Sequence, residues 1–235
     1  MATPSPSDVR EPLSRARVLR AGVDVADERG LERLSMRVLA GVLGVEAMSL
    51  YNHVANKDDL LDGMVDLVMA EIEAPGPDAP WREAMRRRAI TSRAAYARHP
   101  WAARLVHTRP SVGPGRLASF DATIGCLRRA GFSNALTVHA LSILDAYVHG
   151  FGAQRLHVAQ AEVPDDVAMA EALARWLPPE RYPYLSAVVQ EHVLVDGYDA
   201  EEAFSFGLEL VLGGLERSLA EPPRISQDGP TPGMG

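Results

Sequence analysis

At 235 residues, with 47% hydrophobic and 23% charged residues, the chain is long enough to bury two separate cores and has a globular composition. A formal net charge of -7 excludes a nonspecific nucleic-acid coat, which needs Lys and Arg in excess, and no apolar run is long enough to span a bilayer. A single cysteine, Cys126, excludes an intrachain disulfide and a cysteine metal cluster. The polar, proline-rich start MATPSPSDVREP carries no secretion signal, so the cytoplasm is the expected location.

Residues 1–12 read as a disordered tail. The first strongly patterned element begins at Ser35, whose hydroxyl can accept from the free N–H groups of a first helical turn, and runs from Met36 to Leu43. Leu39, Val42 and Leu43 fall on one side of that helix, while Arg37 and Gly41 point elsewhere. Gly44 stands where a helix end wants positive φ, and Val45 plugs the corner before a second helix near Glu46. Ala40 before the turn and Leu50 after it suit a close helix crossing, the spacing of a DNA-reading helix-turn-helix.

On the second helix Ala47, Leu50, Tyr51 and Val54 form the inward or partly inward stripe, which leaves Met48, Ser49, Asn52 and His53 outside. Asn pairs bidentately with adenine in the major groove, His reaches a base edge, and Met or Ala touches a thymine methyl. The hydroxyls of Tyr51 and Ser49 suit phosphate oxygens. Asn56 is an N-cap with Asp59 three residues on, so Lys57, the only lysine of the chain, starts a new helix where a phosphate is favoured. Simpler readings stand beside these: His53 at a core edge, Arg37 and Lys57 as surface charges, Tyr51 as packing, Asn56 as a cap alone.

The stretch APGPDAP, Ala74 to Pro80, cannot continue a helix and marks a boundary. Beyond it helical patterns run over Trp81–Arg98, Trp101–Val106, Gly115–Ala130, Ser133 to about His157, Asp165–Trp176, Pro179–Leu194 and Asp199–Leu219. No strand is convincing, so the expected fold is all-α. The tail 222–235 reads as disordered. Two helices are apolar around more of their circumference than a monomer needs, through Leu136, Ala140, Leu141, Leu144, Val148 and Phe151 on one and Ala203, Phe206, Leu210, Leu212 and Leu215 on the other. Dimerisation would bury the excess, with Gly213 and Gly214 permitting close approach.

The motif LSMRVLAGVLGVEAMSLYNHVANKDDLL, preceded by RARVLRAGVDVADERGLERL, resembles the DNA-binding domain of TetR-family repressors over Arg15 to about Ile72. The resemblance implies a first helix, roughly Arg15–Arg29 with Gly30 as its stop, packed behind the helix-turn-helix through Val18, Gly22, Val25 and Ala26, with Leu31 and Leu34 closing the gap. It implies a DNA-contacting set of Ser35, Arg37, Ala47, Met48, Ser49, Tyr51, Asn52, His53 and Lys57. It also implies an all-α architecture: an N-terminal three-helix DNA-binding domain at 13–73, then a helical ligand-binding and dimerisation domain at 81–221.

That second part is similar to the ligand domain of tetracycline repressors in Trp81, Arg82 and Ala84, in Thr108, Arg109 and Pro110, in the turn Ala130–Gly131–Phe132–Ser133, and in FGLELVLGGLE from Phe206. It departs at the metal. The magnesium-binding His of the tetracycline sensors falls at Leu105, and their Glu ligand falls at Gln154, a poor carboxylate replacement. No metal, no cofactor and a ligand other than tetracycline are expected. Candidate pocket residues are Trp101, His107, Arg109, Phe120, Asp121, Tyr147, Phe151 and Gln154, each aromatic among them reading more simply as core packing. The implied function is a homodimeric regulator of operator DNA, most simply a repressor released by a small molecule, with the helix Lys57–Glu73 as the mechanical link. The alternatives are an activator, a helix-turn-helix module that binds a partner, and a helical enzyme using His107, His139, His149 or His157, for which no nucleophile or phosphate motif is present.

Overall fold

The computed structural model describes residues 12–109, 113–160, 166–196 and 199–220, with backbone only for 155–160, 166–169 and 196. The tails expected at 222–235 and at 1–12, save residue 12, lie outside the described residues, as does Pro110. The helices in chain order are α1 (Arg15–Arg29), α2 (Met36–Leu43), α3 (Ala47–Leu50), α4 (Lys57–Met69), α5 (Trp81–Arg98), α6 (Pro100–Leu105), α7 (Pro114–Arg129), α8 (Asn134–Gln160), α9 (Asp166–Trp176), α10 (Pro183–Val188), α11 (Leu194–Asp196) and α12 (Ala200–Ala220). No strand occurs among the described residues, and no described helix is long and apolar enough to cross a membrane.

Two compact units make up the chain: 12–75 with Ile90–Thr123, and Gly76–Ala89 with 124–220. The composition boundary at Ala74–Pro80 is a helix-free stretch, but compactness does not follow it. Residues 90–123 belong with the first unit: His99, Trp101 and Arg109 bond to groups on α1 or on α4 and its end, and Arg116 faces Asp66 of α4 as an ion pair.

In the first unit α1 buries Val18, Leu19, Ala21, Gly22, Val25 and Ala26. The crossing with α4 is close in two places. A Cβ on Gly22 would lie 2.9 Å from Met64 Sδ, and one on Gly63 would lie 2.7 Å from Leu19 Cδ2. Leu34, Leu39, Leu50, Leu60 and Met64 are at most 1% exposed and form the centre of this core. Burying each such side chain contributes about 1.5–3 kcal/mol.

In the second unit α7 ends at Gly131, φ 98°, with Gly131 N–H donating to Arg128 C=O at 3.0 Å and Phe132 N–H to Leu127 C=O at 3.2 Å. This paired closure turns Phe132 fully inward, edge-on to Trp81 with ring centroids 5.0 Å apart. Ser133 Oγ then caps α8 by accepting from Leu136 N–H at 3.1 Å. α8 packs on α12, with Ala140, Leu144 and Val148 buried on the one and Phe204, Leu208, Leu212 and Leu215 buried on the other. Arg82 and Arg86 of α5 both bond Glu209 of α12, at 2.9 and 2.7 Å. The single helix expected over Pro179–Leu194 is divided. Pro183 occupies the first turn of α10, where its missing N–H costs nothing, and Val189–Val193 follow as a π turn.

Candidate DNA-reading head and effector residues

Ser35 Oγ accepts from Val38 N–H at 3.2 Å and caps α2, as expected. Gly44 closes it in the left-handed region at φ 66°: its N–H donates to Gly41 C=O at 3.3 Å, and Val45 N–H reaches Ala40 C=O at 3.0 Å. Two otherwise orphaned carbonyls are thereby satisfied, and the chain is aimed into α3. Leu39, Ala40 and Leu43 are the buried residues of α2. Val42, expected on the same side, is 47% exposed, because in a two-turn helix the buried arc closes on Ala40 instead.

The reading helix is shorter than expected. α3 covers Ala47–Leu50, and Tyr51, Asn52 and His53 continue as turns, with Tyr51 N–H on Met48 C=O, Asn52 N–H on Ser49 C=O and His53 N–H on Leu50 C=O. These three-residue bonds tighten the last turn of a helix. Leu50 and Val54 are buried at 0 and 1%, while Met48 is 75% and Tyr51 45% exposed; Asn52 is exposed and Ser49 and His53 are half-buried. Met48, Tyr51 and Asn52 thus offer side chains of the kinds that touch bases and phosphates from one short surface.

Asn56 Oδ1 caps α4 by accepting from Asp59 N–H at 2.9 Å, which places exposed Lys57 at its first position. Asp59 does more than its place after the cap suggested. Its Oδ2 accepts from Ala55 N–H at 2.7 Å, and both carboxylate oxygens take Arg15, at 2.6 and 3.0 Å, while Arg15 also donates to His53 C=O at 2.9 Å. Arg15, beside Ala55 N–H, holds the Asp59 carboxyl below the usual carboxylate range. Sequence reasoning passed over Arg15. Its partners lie 38 and 44 residues away, and the only local signal was an arginine opening an amphipathic helix.

Of the effector candidates, Trp101, His107, Arg109, Phe120 and Asp121 lie in the first unit and Tyr147, Phe151 and Gln154 in the second. Trp101 is 3% exposed, and its Nε1–H donates to Asp27 Oδ1 at 2.6 Å; beside it His99 lies 2.8 Å from Asp27 and 3.2 Å from Glu71. Arg109 bonds Asp62 and reaches both Oδ1 and the carbonyl of Asp58 at 3.0 Å, which raises its pKa further. Tyr147 and Phe151 pack on Phe204, with centroids 5.3 Å from it in each case, and Tyr147 OH donates to Phe204 C=O at 2.8 Å. The close approach on α12 falls at Gly207, where a Cβ would meet the Tyr147 hydroxyl, whereas Cβ atoms on Gly213 and Gly214 would meet only the tip of Arg217. His107, Asp121 and Gln154 are exposed and Phe120 is half-buried. Among the described residues no group of three or more His, Cys, Asp or Glu is disposed to hold a metal ion. Leu105 and Gln154 supply no carboxylate or imidazole to one.

Residues 74–219 match the family described as "Tetracyclin repressor-like, C-terminal domain". The chain is 34% identical over 218 residues to the HTH-type transcriptional repressor DrrR1 of Streptomyces coeruleorubidus, covering 89% of this chain and 79% of that protein. It is 30% identical to the class E tetracycline repressor of Escherichia coli, covering 89% and 93%. The crystal structure of the Streptomyces coelicolor TetR family protein ActR in complex with actinorhodin superimposes with a TM-score of 0.71 at 27% identity, covering 90% of this chain and all of that one. A capped two-helix reading head followed by an all-helical second part defines a DNA-binding transcription regulator, and the chain belongs to the TetR family. That family is one of regulators, not of enzymes.

Proposed function

We propose that this regulator binds a two-fold operator in the cytoplasm as a homodimer, represses from it, and leaves it when a small molecule binds. The observation that carries the reading is the short surface of Met48, Tyr51 and Asn52, followed by Lys57 at the start of α4, on a head whose turns are closed by Gly44, Asn56 and Arg15. Ser35, Arg37, Ala47, Ser49 and His53 complete the proposed DNA set. The division of labour is 13–73 for DNA and 81–221 for effector and dimerisation.

Dimerisation is supported by Val138 and Ile143 on α8 and Phe206 and Leu210 on α12, which remain 49–68% exposed although the opposite sides of both helices are buried. A two-fold pair would set its reading helices about 34 Å apart, one turn of DNA. Coupling would run through α4, which carries Lys57 at its start and takes Arg109 on Asp58 and Asp62. A preference of about 1–3 kcal/mol between the two states gives a 5- to 150-fold change in operator affinity. For the effector, ActR solved with actinorhodin supplies a ligand-bound relative. His107, Phe120, Asp121 and Gln154 remain the candidates among those expected, since Trp101 and Arg109 hold α1 and α4, and Tyr147 and Phe151 pack on Phe204.

The test is binding of the purified protein to DNA upstream of its own gene, and to a random pool, at several salt concentrations. Tight, salt-dependent, sequence-selective binding is expected. Absence of selection from either DNA would overturn the reading in favour of a partner-binding module.

A further inference from the structure

Within the first unit, between the end of α4 and the start of α7, lies a cavity of about 320 Å³ walled by Met69, Ile72 and Ala118 and also lined by Asp66, Arg116 and Ser119. Arg116 is 4% exposed, and its Nη2 donates to Val106 C=O at 3.2 Å. Its Nη1 stands 3.8 Å from Asp66 Oδ1. The other face of that carboxylate is closed: Gly113 N–H donates to it, and a Cβ at Gly113 would collide with Oδ2. Asp66 Oδ1 is buried and has no hydrogen-bond partner among the described residues. The guanidinium offsets part of the desolvation penalty by its charge, but the missing hydrogen bond leaves the rest.

The gap decides what chemistry fits. At 3.8 Å the Nη1–Oδ1 pair is too long for a hydrogen bond, which needs about 2.7–3.2 Å, yet one oxygen placed about 2.8 Å from each atom spans it. That oxygen must donate to the carboxylate and accept from the guanidinium. A hydroxyl does both, an ammonium only donates and a carboxylate only accepts. The two lining charges cancel, so a ligand with net charge finds no partner to neutralise it, and apart from Ser119 the remaining walls are apolar. A lone water would close the same gap but fill only about 30 Å³ of the space.

We propose that this cavity takes a neutral, mainly apolar molecule through one hydroxyl, which donates to Asp66 Oδ1 and accepts from Arg116. The inference rests on reading the chain as an effector-responsive regulator, and it extends effector recognition beyond 81–221 onto α4, the helix that begins at Lys57.

The experiment is calorimetric titration of the full-length protein, without DNA, with 1-naphthol and with its near-isostere 1-methylnaphthalene. Wild type binds the naphthol at least tenfold more tightly. Asp66→Ala brings the two probes to parity. Ala118→Leu, which fills the cavity and leaves the carboxylate in place, abolishes both while circular dichroism stays native. Equal affinities in wild type, no naphthol binding, or undiminished binding to Ala118→Leu would each overturn the proposal, the second by leaving the gap to water. The probe pair and Ala118→Leu decide the matter even where Asp66→Ala fails to fold. Because DNA is absent, naphthol binding by a protein that selects no operator would overturn the regulator reading alone, and the converse result would overturn this one alone.

Discussion

The head from Arg15 to Met69 and the stretch from Asp166 to Asp196 are both runs of short helices, yet they are held in opposite ways. In the head each of α1, α2 and α4 has a side-chain cap at its start, Ser14, Ser35 and Asn56, and glycines close α1 and α2. Its central side chains are buried almost completely. The α9–α11 stretch has a small core of Ala170, Leu177 and Val189 with Ala174, Val193 and Leu194 against it, and leaves Trp176, Tyr184 and Val195 71–88% exposed. The head is specified by local rules and closes on itself. The later stretch spends its large apolar residues on its surface, and no local rule names what they are for.

Substitutions in the two stretches should differ in effect as their burial does. The largest effect is expected from Leu50→Ala, which empties a fully buried position and should cost about 2–5 kcal/mol by urea unfolding; Trp176→Ala, on the open stretch, should change stability by about 0.5 kcal/mol or less. Next, Asn52→Ala should cost about 1–3 kcal/mol of operator binding and relax discrimination at particular bases. Lys57→Ala should weaken all sequences alike and lower the salt slope by about one. Equal losses on every sequence for Asn52→Ala would make that residue a positioner.

Gly44→Ala should cost about 1–2 kcal/mol in thermal or urea unfolding, because Gly44 sits at φ 66°. A smaller effect separates two carboxylates on α4. Arg15 lowers the pKa of Asp59, so Asp59 adds stability above the ordinary carboxylate range that is lost as pH falls through its lowered value. Burial raises that of Asp66, so its contribution is complete below that range and is lost as pH rises through its raised value. Asp66→Asn should therefore raise Tm at neutral pH and leave it unchanged near pH of about 3, below the ordinary Asp value. Asp59→Asn should lower Tm at neutral pH. Smallest in the monomer is Leu210→Lys, expected within about 0.5 kcal/mol by unfolding yet shifting sedimentation from dimer to monomer.

What the sequence makes legible follows the same division. Ser35, Gly44 and Asn56 could be identified because a cap is a rule about neighbours: an oxygen facing N–H groups three residues on, or a φ that only glycine takes cheaply. Gly131 and Ser133 repeat that grammar between α7 and α8. The shortening of α3 was not legible. His53 C=O is taken by Arg15 from 38 residues away, and nothing in the spacing of Leu50, Tyr51 and Val54 reports that. Trp101 and Arg109 read from the sequence as pocket-lining candidates, but their partners Asp27, Asp58 and Asp62 lie on helices that periodicity cannot bring together. Asp66 and Arg116 drew no notice at all. A charge at a half-buried helical position looks like any solvated face until the fold puts another helix against it.

Lys57 has one more consequence, for chemistry done on the protein rather than by it. It carries the only side-chain amine in the chain, it is exposed, and it stands at the first position of α4. An acylating reagent therefore has one internal target, and that target lies on the surface proposed to meet the phosphates. The rate at which a single site takes a label then becomes a direct meter of operator occupancy, without any engineered tag.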